Sequence, residues 1–353
     1  MPKSITFGLG PPFLQCDGLT ETVAPWEDGL RAETGRGSFE WWYFDAHLDD
    51  GSTAVIVFAT KPLLARKGPL KPQLVLTITR PDGRKLDRSA VLPPDQFAAS
   101  KDGCNVHIGG NHVAGDLHRY ELHAANADLA ADLVFTGSVP PWRPGAGKNY
   151  YDPALTQYFA WLPAIPYGAV SGTLTYDGQT HTVSGAGYHD HNWGNVGLND
   201  VMSHWVWGRA RVGPYSLIFV EMTATPAYNK QKMPVFMLAR DDQILLGDGG
   251  PLTLATADVV SHPSGRKYPR QLDFRWQPAD ASRGRVHLAL REPELIEAVS
   301  LLTAFPHWQQ RLLRLFANPY YFRFNAALEL QIDLPGLQTV EQGRALYELM
   351  LLR

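Results

Sequence analysis

The chain has 353 residues, more than a single domain usually holds, so two domains are predicted. Its formal net charge is -3 and its Lys and Arg residues are scattered, which argues against the clustered basic surface of a nucleic-acid-binding protein. No apolar run approaches the roughly 20 residues that cross a bilayer, and the start lacks the apolar core of a signal peptide, so a cytoplasmic protein is predicted.

The aromatic and turn-forming residues indicate an all-β protein. Ten Trp, 14 Tyr and 15 Phe accompany 32 Gly and 27 Pro, a composition typical of many short strands joined by turns. Strands do not alternate with helices, so a parallel dinucleotide-binding fold is disfavoured. Because a buried indole N–H needs a hydrogen-bond partner, the surplus of Trp also indicates a lined cavity or thick layers between sheets.

Residues 1–37 show no strong periodicity and are predicted to form an irregular N-terminal arm. A first β domain is predicted from residue 38 to residue 195. Its strands are predicted at 39–46, 53–58, 73–80, 105–108, 116–124, 131–138, 168–176 and 179–191. The segment 139–165 interrupts this pattern with prolines and many aromatic residues, and we interpret it as a flap over the mouth of a pocket.

A second β domain is predicted over residues 196–353. Its strands are predicted at 204–212, 215–223, 234–239, 244–246, 252–260, 272–276, 285–291, 320–332 and 344–352. One helix is predicted at about 294–316, because apolar residues from Leu295 to Leu302 share a helical face. This helix is expected to cover a barrel mouth, although transient contact with a membrane surface is an alternative. Two stacked β-barrel or sandwich domains, divided near residues 190–202, are therefore predicted, and a single large sandwich is the alternative.

The chain has two cysteines, Cys16 and Cys104. A disulfide between them is one interpretation, but secreted scaffolds held by disulfides usually contain more cysteines. Two unpaired thiols in a reducing compartment are therefore predicted.

The most specific motif is a run of six polar or aromatic residues from Tyr188 to Trp193, flanked by glycines. Strand alternation divides the run between two faces of a sheet. One face carries Tyr188, Asp190 and Asn192, and the other carries His189, His191 and Trp193. The flanking glycines let the backbone bend or approach another element closely.

Three interpretations of this motif stay open. His189 and His191 are spaced to reach one metal ion, but no further Cys or His cluster with standard spacing supports this, so no metal is predicted. The same residues suit a buried hydrogen-bond network that pins the junction between the domains. Alternatively, Asp190 is a catalytic acid, because a dry aromatic pocket disfavours the charged form of a carboxyl group.

A second motif runs from Glu40 to Asp45. Alternation places Glu40, Trp42 and Phe44 on one face and Trp41, Tyr43 and Asp45 on the other. Whichever face points inward, a carboxylate lies beside a Trp. Pairing of one carboxylate with a core arginine such as Arg209 explains this as well as catalysis does, because buried acids are generally paired.

A third motif places Trp205, Trp207 and Arg209 on one face of a strand. Arg beside Trp favours stacking and the capture of a carboxylate, although ordinary pairing with Glu40, Asp45 or Glu221 is the slightly preferred interpretation. Near the end of the chain, an aromatic segment around Tyr321 is expected to line a second pocket or to seal the domain interface.

Together, the segments 40–46, 187–194 and 205–209 resemble the carotenoid 1,2-hydratase (hydroxyneurosporene synthase)-like family. That family is also described as lipocalin-like and includes Diels–Alderase-like members. The resemblance covers residues 38–225 and implies two lipocalin-like β-barrel domains, no metal, no organic cofactor and a hydrophobic polyene substrate.

For a hydratase, the resemblance implies that Asp190 protonates a terminal isoprene double bond and that water captures the cation. The faces of Trp193, Trp205 and Trp207 would stabilise that cation. For a Diels–Alderase, it implies a pocket that folds a linear polyene and accelerates the reaction by positioning, with polar groups such as Glu40 activating a carbonyl.

A cofactor-free enzyme that hydrates or isomerises a hydrophobic polyene or terpenoid is therefore predicted. An intramolecular [4+2] cyclase and a non-catalytic carrier of a lipophilic metabolite are the alternatives. The predicted catalytic residues are Asp190, His189, His191, Glu40 and Tyr188. The predicted substrate-binding residues are Trp41, Trp42, Tyr43, Asp45, Asn192, Trp193, Trp205, Trp207, Arg209, Glu221 and Tyr321.

Overall fold

A computed structural model describes residues 3–62, 66–304 and 319–352. The chain forms two compact units, and each has its own sheet. The N-terminal unit comprises Thr6–Val196, and the C-terminal unit comprises Met1–Ile5 with Gly197–Arg353. Most of the predicted arm therefore belongs to the N-terminal unit.

Thirteen antiparallel strands form the sheet of the N-terminal unit as the structure describes it. They are β1 Thr6–Phe7, β2 Phe39–Leu48, β3 Thr53–Ala59, β4 Gln73–Thr79, β5 Lys85–Val91, β6 Phe97–Ala99, β7 Cys104–Ile108, β8 Asn111–Gly115, β9 Arg119–Asn126, β10 Leu129–Gly137, β11 Lys148–Tyr150, β12 Tyr158–Tyr176 and β13 Gln179–Gly194. The order is β5-β4-β3-β2-β13-β12-β10-β9-β8-β7-β6, and β11 joins β1 to β12. Helix α1 spans Pro11–Cys16, and short 3₁₀ helices span Pro25–Asp28 and Pro94–Gln96.

The N-terminal sheet curls around one apolar core. Strand β4 contacts β9 and β10 across this core, although neither is its neighbour in the sheet. Strand β4, and strand β3 as far as Phe58, alternate between half-buried and buried residues, so one side chain in two enters the core. Removing these side chains from water is the main source of the unit's stability.

Nine antiparallel strands form the sheet of the C-terminal unit within the described residues. They are β14 Met202–Val212, β15 Tyr215–Ala224, β16 Lys232–Arg240, β17 Gln243–Leu246, β18 Leu252–Ser261, β19 Lys267–Trp276, β20 Arg285–Ser300, β21 Tyr320–Leu334 and β22 Leu337–Leu351. Their order is β17-β16-β15-β14-β22-β21-β20-β19-β18. Helix α2 spans Leu198–Val201, and 3₁₀ helices span Pro226–Tyr228, Ala281–Arg283 and Leu301–Ala304. The predicted all-β class is therefore confirmed.

The helix predicted at 294–316 is wrong over residues 294–300, which continue strand β20. This part of β20 pairs with β21, and register shifts lie between Arg291 and Glu294 and between Leu295 and Glu297. Such bulges break the two-residue alternation, so the apolar spacing imitated a helix. The 3₁₀ helix Leu301–Ala304 follows, and residues 305–318 lie outside the described part. The segment that was expected to cover a barrel mouth, or to contact a membrane, therefore begins as a strand and not as an α-helix.

The flap predicted at 139–165 is also wrong in its last eight residues. Strand β12 begins at Tyr158 and pairs with β13 through this region. Register shifts between Pro163 and Ile165 and between Ile165 and Gly168 accommodate the prolines that suggested a loop. Because proline cannot donate to the strand ladder, it is tolerated at such irregular positions.

Both cysteines are unpaired, as predicted: Cys16 is exposed, and Cys104 is buried in the core. The only two α-helices among the described residues, α1 and α2, are far too short to cross a membrane.

Candidate active site

The end of strand β13 is buried on both of its faces. All seven residues from Tyr188 to Gly194 are buried, and the strand lies between β2 and β12. Tight packing begins at Gly187, where a Cβ atom would lie 2.4 Å from Val170 Cγ2 and 2.6 Å from Phe135 Cε1. Two separate polar clusters result, one on each face of the strand.

The first cluster, here called the inner cluster, consists of Asp28, Glu40, Tyr120, His189 and His191. It lies on the core side of the sheet, where the ring of His189 stacks on Phe44 with 3.9 Å between centroids. His189 Nδ1 is 2.9 Å from the Tyr43 carbonyl oxygen, and its Nε2 is 3.1 Å from Asp28 Oδ2. Since both atoms that it faces are acceptors, both ring nitrogens are placed to donate.

His191 lies between two carboxylates of the inner cluster. Its Nε2 is 2.7 Å from Glu40 Oε1, and its Nδ1 is 3.3 Å from Asp28 Oδ1. Burial alone would lower the pKa of His191, but the two neighbouring carboxylates, Asp28 and Glu40, outweigh it and raise this pKa to about 9. Burial raises the pKa of Asp28, but His189 and His191 together hold it well below its usual value.

The inner cluster ties the arm to the sheet. Asp28 ends the 3₁₀ helix of the arm and accepts a 2.6 Å hydrogen bond from the Tyr120 hydroxyl, while its carbonyl oxygen accepts the indole N–H of Trp42 at 2.9 Å. Glu40 accepts the backbone N–H groups of Arg31 and Ala32 at 2.7 and 2.8 Å. Each member therefore closes a contact between the arm and a strand of the same unit.

No member of the inner cluster reaches a surface, since His189, His191 and Glu40 are 0% exposed. The hydrogen-bond interpretation of the motif thus fits its histidines, although the network lies within the N-terminal unit. Trp42 and Trp193 face the same core, where each packs against His191.

Asp28, Cys104 and His189 bring one carboxylate oxygen, one sulfur and one ring nitrogen within 4.8 Å of one another. These residues fit a metal ion poorly. Asp28 Oδ2 already faces both Tyr120 and His189. Burial, together with the charge of Asp28, raises the pKa of the Cys104 thiol well above its usual value, whereas a metal ligand must be a thiolate.

The second cluster, here called the outer cluster, consists of Tyr43, Asp45, Trp161, Tyr188, Asp190 and Asn192. Its centre is the carboxyl group of Asp190. Oδ2 accepts hydrogen bonds from Trp161 Nε1 and the Tyr188 hydroxyl, both at 2.8 Å, and Oδ1 accepts one from Asn192 Nδ2 at 2.7 Å. These three donors fix the position of the carboxyl group.

The register of the sheet explains how the outer cluster forms. Asn192 pairs with Trp41 on β2 and with Trp161 on β12, while Asp190 pairs with Tyr43 on β2. Cross-strand partners share a face, so these side chains collect on the side of the sheet opposite His189. Trp41 and Tyr43 are half-buried.

Unlike the histidines, the outer cluster retains some accessible surface. Asp190 and Trp161 are each 8% exposed. Burial raises the pKa of Asp190, and the hydrogen bonds from Trp161, Tyr188 and Asn192 only partly offset this effect. A raised pKa favours the protonated form of a carboxyl group, which is the form that a general acid needs.

The predicted site residues of the C-terminal unit divide between the two faces of its sheet. Trp205, Trp207 and Arg209 are half-buried and alternate along one face of β14. Tyr321 shares that face, because it pairs with Met350, which pairs with Trp205.

Glu221 instead lies on the other face of this sheet, opposite Val206. Its carboxylate accepts a 2.6 Å hydrogen bond from Lys232 Nζ. In the same way, Glu40 of the N-terminal unit is paired with His191. Pairing with Arg209 was one interpretation of these acids, and the structure gives each of them another partner.

Three residues of the clusters, Asp28, Tyr120 and Trp161, were not predicted as site residues from the sequence. Asp28 lies in the arm, where no strand pattern marked it, and only the Pro25 start of a short helix gave a local signal. Trp161 was assigned to the flap because prolines surround it, although the aromatic density of that segment did indicate a tucked position.

Comparison with known proteins gives one matching family. The model of the Diels-Alderase-like family matches residues 32–262, which contain the whole outer cluster. The quinolone epoxide rearrangement protein penF of Penicillium thymicola is 29% identical over 199 residues, which are 52% of this chain and 55% of that protein. The Diels-Alderase cheD of Chaetomium globosum is 25% identical over 251 residues, 67% of this chain and 57% of that protein. The chain thus spans little more than half the length of these relatives.

Among solved structures, the crystal structure of CghA has a TM-score of 0.60 to this chain at 14% sequence identity. The match covers 94% of this chain and 96% of that one. At this identity the likeness concerns the fold, and it confirms the predicted lipocalin-like β architecture.

Proposed function

The chain belongs to the Diels-Alderase-like family, and on that premise we propose that it is a cofactor-free enzyme whose Asp190 donates a proton to a hydrophobic polyene or terpenoid. The reaction is an acid-initiated hydration or isomerisation of a C=C bond. One observation carries this proposal. Burial raises the pKa of the Asp190 carboxyl group, and the residue as a whole retains 8% of its accessible surface.

The surroundings of Asp190 suit both states of a general acid. Burial favours the protonated carboxyl at rest, because a charge is costly away from water. The donors on Trp161, Tyr188 and Asn192 are already in place for the carboxylate that remains after the proton has left. A hydrogen bond to a charged group contributes about 1.5–3 kcal/mol, and preorganised donors require no rearrangement during the reaction.

The named relatives are consistent with such a step. An epoxide rearrangement is a reaction that a proton donor assists, because protonation of the epoxide oxygen weakens its C–O bonds. The relative penF is named for a rearrangement of this kind. The same acid acting on an alkene instead gives a carbocation, which water or proton loss then quenches.

A [4+2] cyclase is the second candidate, because the family description and the relative cheD both name a Diels-Alderase. In that reaction Asp190 would donate a hydrogen bond to a carbonyl of the substrate, and positioning would supply most of the acceleration. No proton from solvent would then reach a carbon atom of the product.

The test is conversion of lycopene, an acyclic polyene with terminal isoprene units, by the wild type and by Asp190→Asn. Loss of a general acid should lower turnover by about 100-fold or more. Asp87→Asn is the matched control, because Asp87 is exposed on β5 and accepts a hydrogen bond from Thr77. Equal turnover by wild type and Asp190→Asn, or lycopene recovered unchanged from the wild type, contradicts the proposed function.

A further inference from the structure

The outer cluster contains two Tyr-x-Asp segments on neighbouring strands. In each segment the tyrosine hydroxyl donates to the aspartate two residues later, at 3.3 Å from Tyr43 to Asp45 and at 2.8 Å from Tyr188 to Asp190. The antiparallel register places Tyr43 opposite Asp190 and Asp45 opposite Tyr188. Two carboxyl groups and two phenols therefore alternate on one face of the sheet.

We propose that Tyr43 and Asp45 form the proton-accepting half of the site, opposite the proton-donating half formed by Tyr188 and Asp190. This inference rests on the proposed function and deepens it, because an acid-initiated reaction also needs a group that removes a proton. Tyr43 is the residue that contacts the reacting molecule, and Asp45 is the base behind it.

Burial and spacing support this division of roles. Asp45 is 0% exposed, whereas Tyr43 is half-buried and lies directly across from Asp190. Asp45 and Asp190 are diagonal neighbours on paired strands, a relationship that separates residues by about 7–8 Å. The two carboxyl groups therefore share one face of the sheet without lying directly opposite each other.

In hydration, the carboxyl proton of Asp190 forms a C–H bond with one alkene carbon, using the electron pair of the C=C bond. Water then adds to the cationic carbon. As it adds, it gives one proton to the Tyr43 oxygen, while the Tyr43 hydroxyl gives its own proton to Asp45. In isomerisation, Tyr43 takes the proton from the carbon next to the cation instead.

Atoms and charges balance in both reactions. The alkene gains one water molecule or moves its double bond, Asp190 is left ionised, and Asp45 is left protonated. The site resets when Asp45 releases its proton to solvent and Asp190 takes one up. His47 lies on the solvent side, with Nε2 3.9 Å from Asp45 Oδ1 and 41% of its side chain exposed. On the opposite face of β13, His189 also acts on Asp190 through its charge.

The first experiment needs no substrate. The infrared C=O stretch of a protonated carboxyl is followed against pH in the wild type, Asp190→Asn, Asp45→Asn and the Asp87→Asn control. The band should vanish in Asp190→Asn. In Asp45→Asn the band should remain, but the carboxyl group of Asp190 should ionise at lower pH, because a neighbouring negative charge has been removed. An unchanged ionisation midpoint in Asp45→Asn overturns the inference, whereas a band that survives in Asp190→Asn overturns the proposed function.

The second experiment uses lycopene in D₂O. In Asp45→Asn, product formation should fall by about 10-fold or more, while deuterium still enters recovered lycopene, because Asp190 protonates it reversibly. Asp190→Asn should lose both product and exchange. Tyr43→Phe removes only a hydroxyl group and should behave like Asp45→Asn even if the latter folds poorly. Normal product formation by Tyr43→Phe overturns the inference and leaves the role of Asp190 intact.

Discussion

Asp190 and His189 are neighbours in the chain, yet their side chains lie in two different polar clusters on opposite faces of strand β13. Asp190 accepts hydrogen bonds from Trp161 and Tyr188, whereas His189 faces Asp28 of the arm. The face that carries Asp190 therefore supplies a carboxyl group for chemistry. The face that carries His189 attaches the arm to the sheet. Substitutions on the two faces should affect different properties of the protein.

Stability should fall at high pH because of His191. Its pKa in the folded state, about 9, lies above its usual value of 6.5. The stabilisation is therefore fully present below pH 6.5 and is lost as the pH rises through about 9, by about 3 kcal/mol in all. Urea unfolding at pH 6.5 and pH 9.5 measures this difference. His191→Gln should remove most of the pH dependence, whereas His123→Gln, which changes a more exposed histidine, should retain it.

Asp28→Asn should destabilise the protein by about 3–5 kcal/mol, because it leaves charged partners of a buried network uncompensated. The wild-type contribution of Asp28 is present at neutral pH and is lost in acid only well below pH 3.8, since His189 and His191 lower its pKa. Urea unfolding and limited proteolysis of the arm are the measurements. A loss below 1 kcal/mol with an unchanged cleavage pattern would show that the arm is held by other contacts.

Tyr188→Phe should shift the pH dependence of turnover while leaving the fold intact. The hydrogen bond from Tyr188 lowers the pKa of Asp190, so its loss should raise that pKa further. Since Asp190 works in its protonated form, activity is lost as the pH rises through this pKa, and the falling limb should move to higher pH. Turnover itself should decrease by roughly 10–100-fold, the equivalent of one hydrogen bond to a charged group. If the falling limb of the pH profile stays at the same pH in Tyr188→Phe, the hydrogen bond from Tyr188 does not control the pKa of the catalytic acid.

Gly187→Ala should destabilise the N-terminal unit by about 1–3 kcal/mol, the usual cost of overpacking a core. Its added methyl group would meet Val170 and Phe135 well inside contact distance. Gly110→Ala is the matched control, because nothing lies within 4 Å of its Cβ position. Thermal unfolding of both variants measures the effect, and equal midpoints would refute the tight packing beside the site.

The faces of β2 and β13 could be predicted from the sequence because both strands alternate without a bulge where they pair. That regularity put Tyr188, Asp190 and Asn192 together and separated them from the histidines. Alternation could not show that both faces are buried, since this depends on what packs against each one. It also failed where bulges interrupt the ladder, around Pro163 in β12 and Glu294 in β20.

The partners of the motif residues were harder to predict than their faces. Asp28 is separated from His189 by 161 positions in the chain, and it lies in an arm without periodicity. Glu40 pairs with His191 and Glu221 with Lys232, whereas the sequence had suggested a core arginine as one possible partner. Which of several charged groups pairs with a buried acid depends on register and on loop paths, and local sequence patterns contain neither.

The central claim is that Asp190 passes a proton to a carbon atom of the substrate, and the most direct test is isotopic. Lycopene is converted by the wild type in D₂O, and the product is analysed by mass spectrometry and NMR. We predict one deuterium at a carbon that does not exchange on its own, with this label absent when Asp190→Asn is used. A product formed at the same rate without carbon-bound deuterium would contradict proton donation by Asp190.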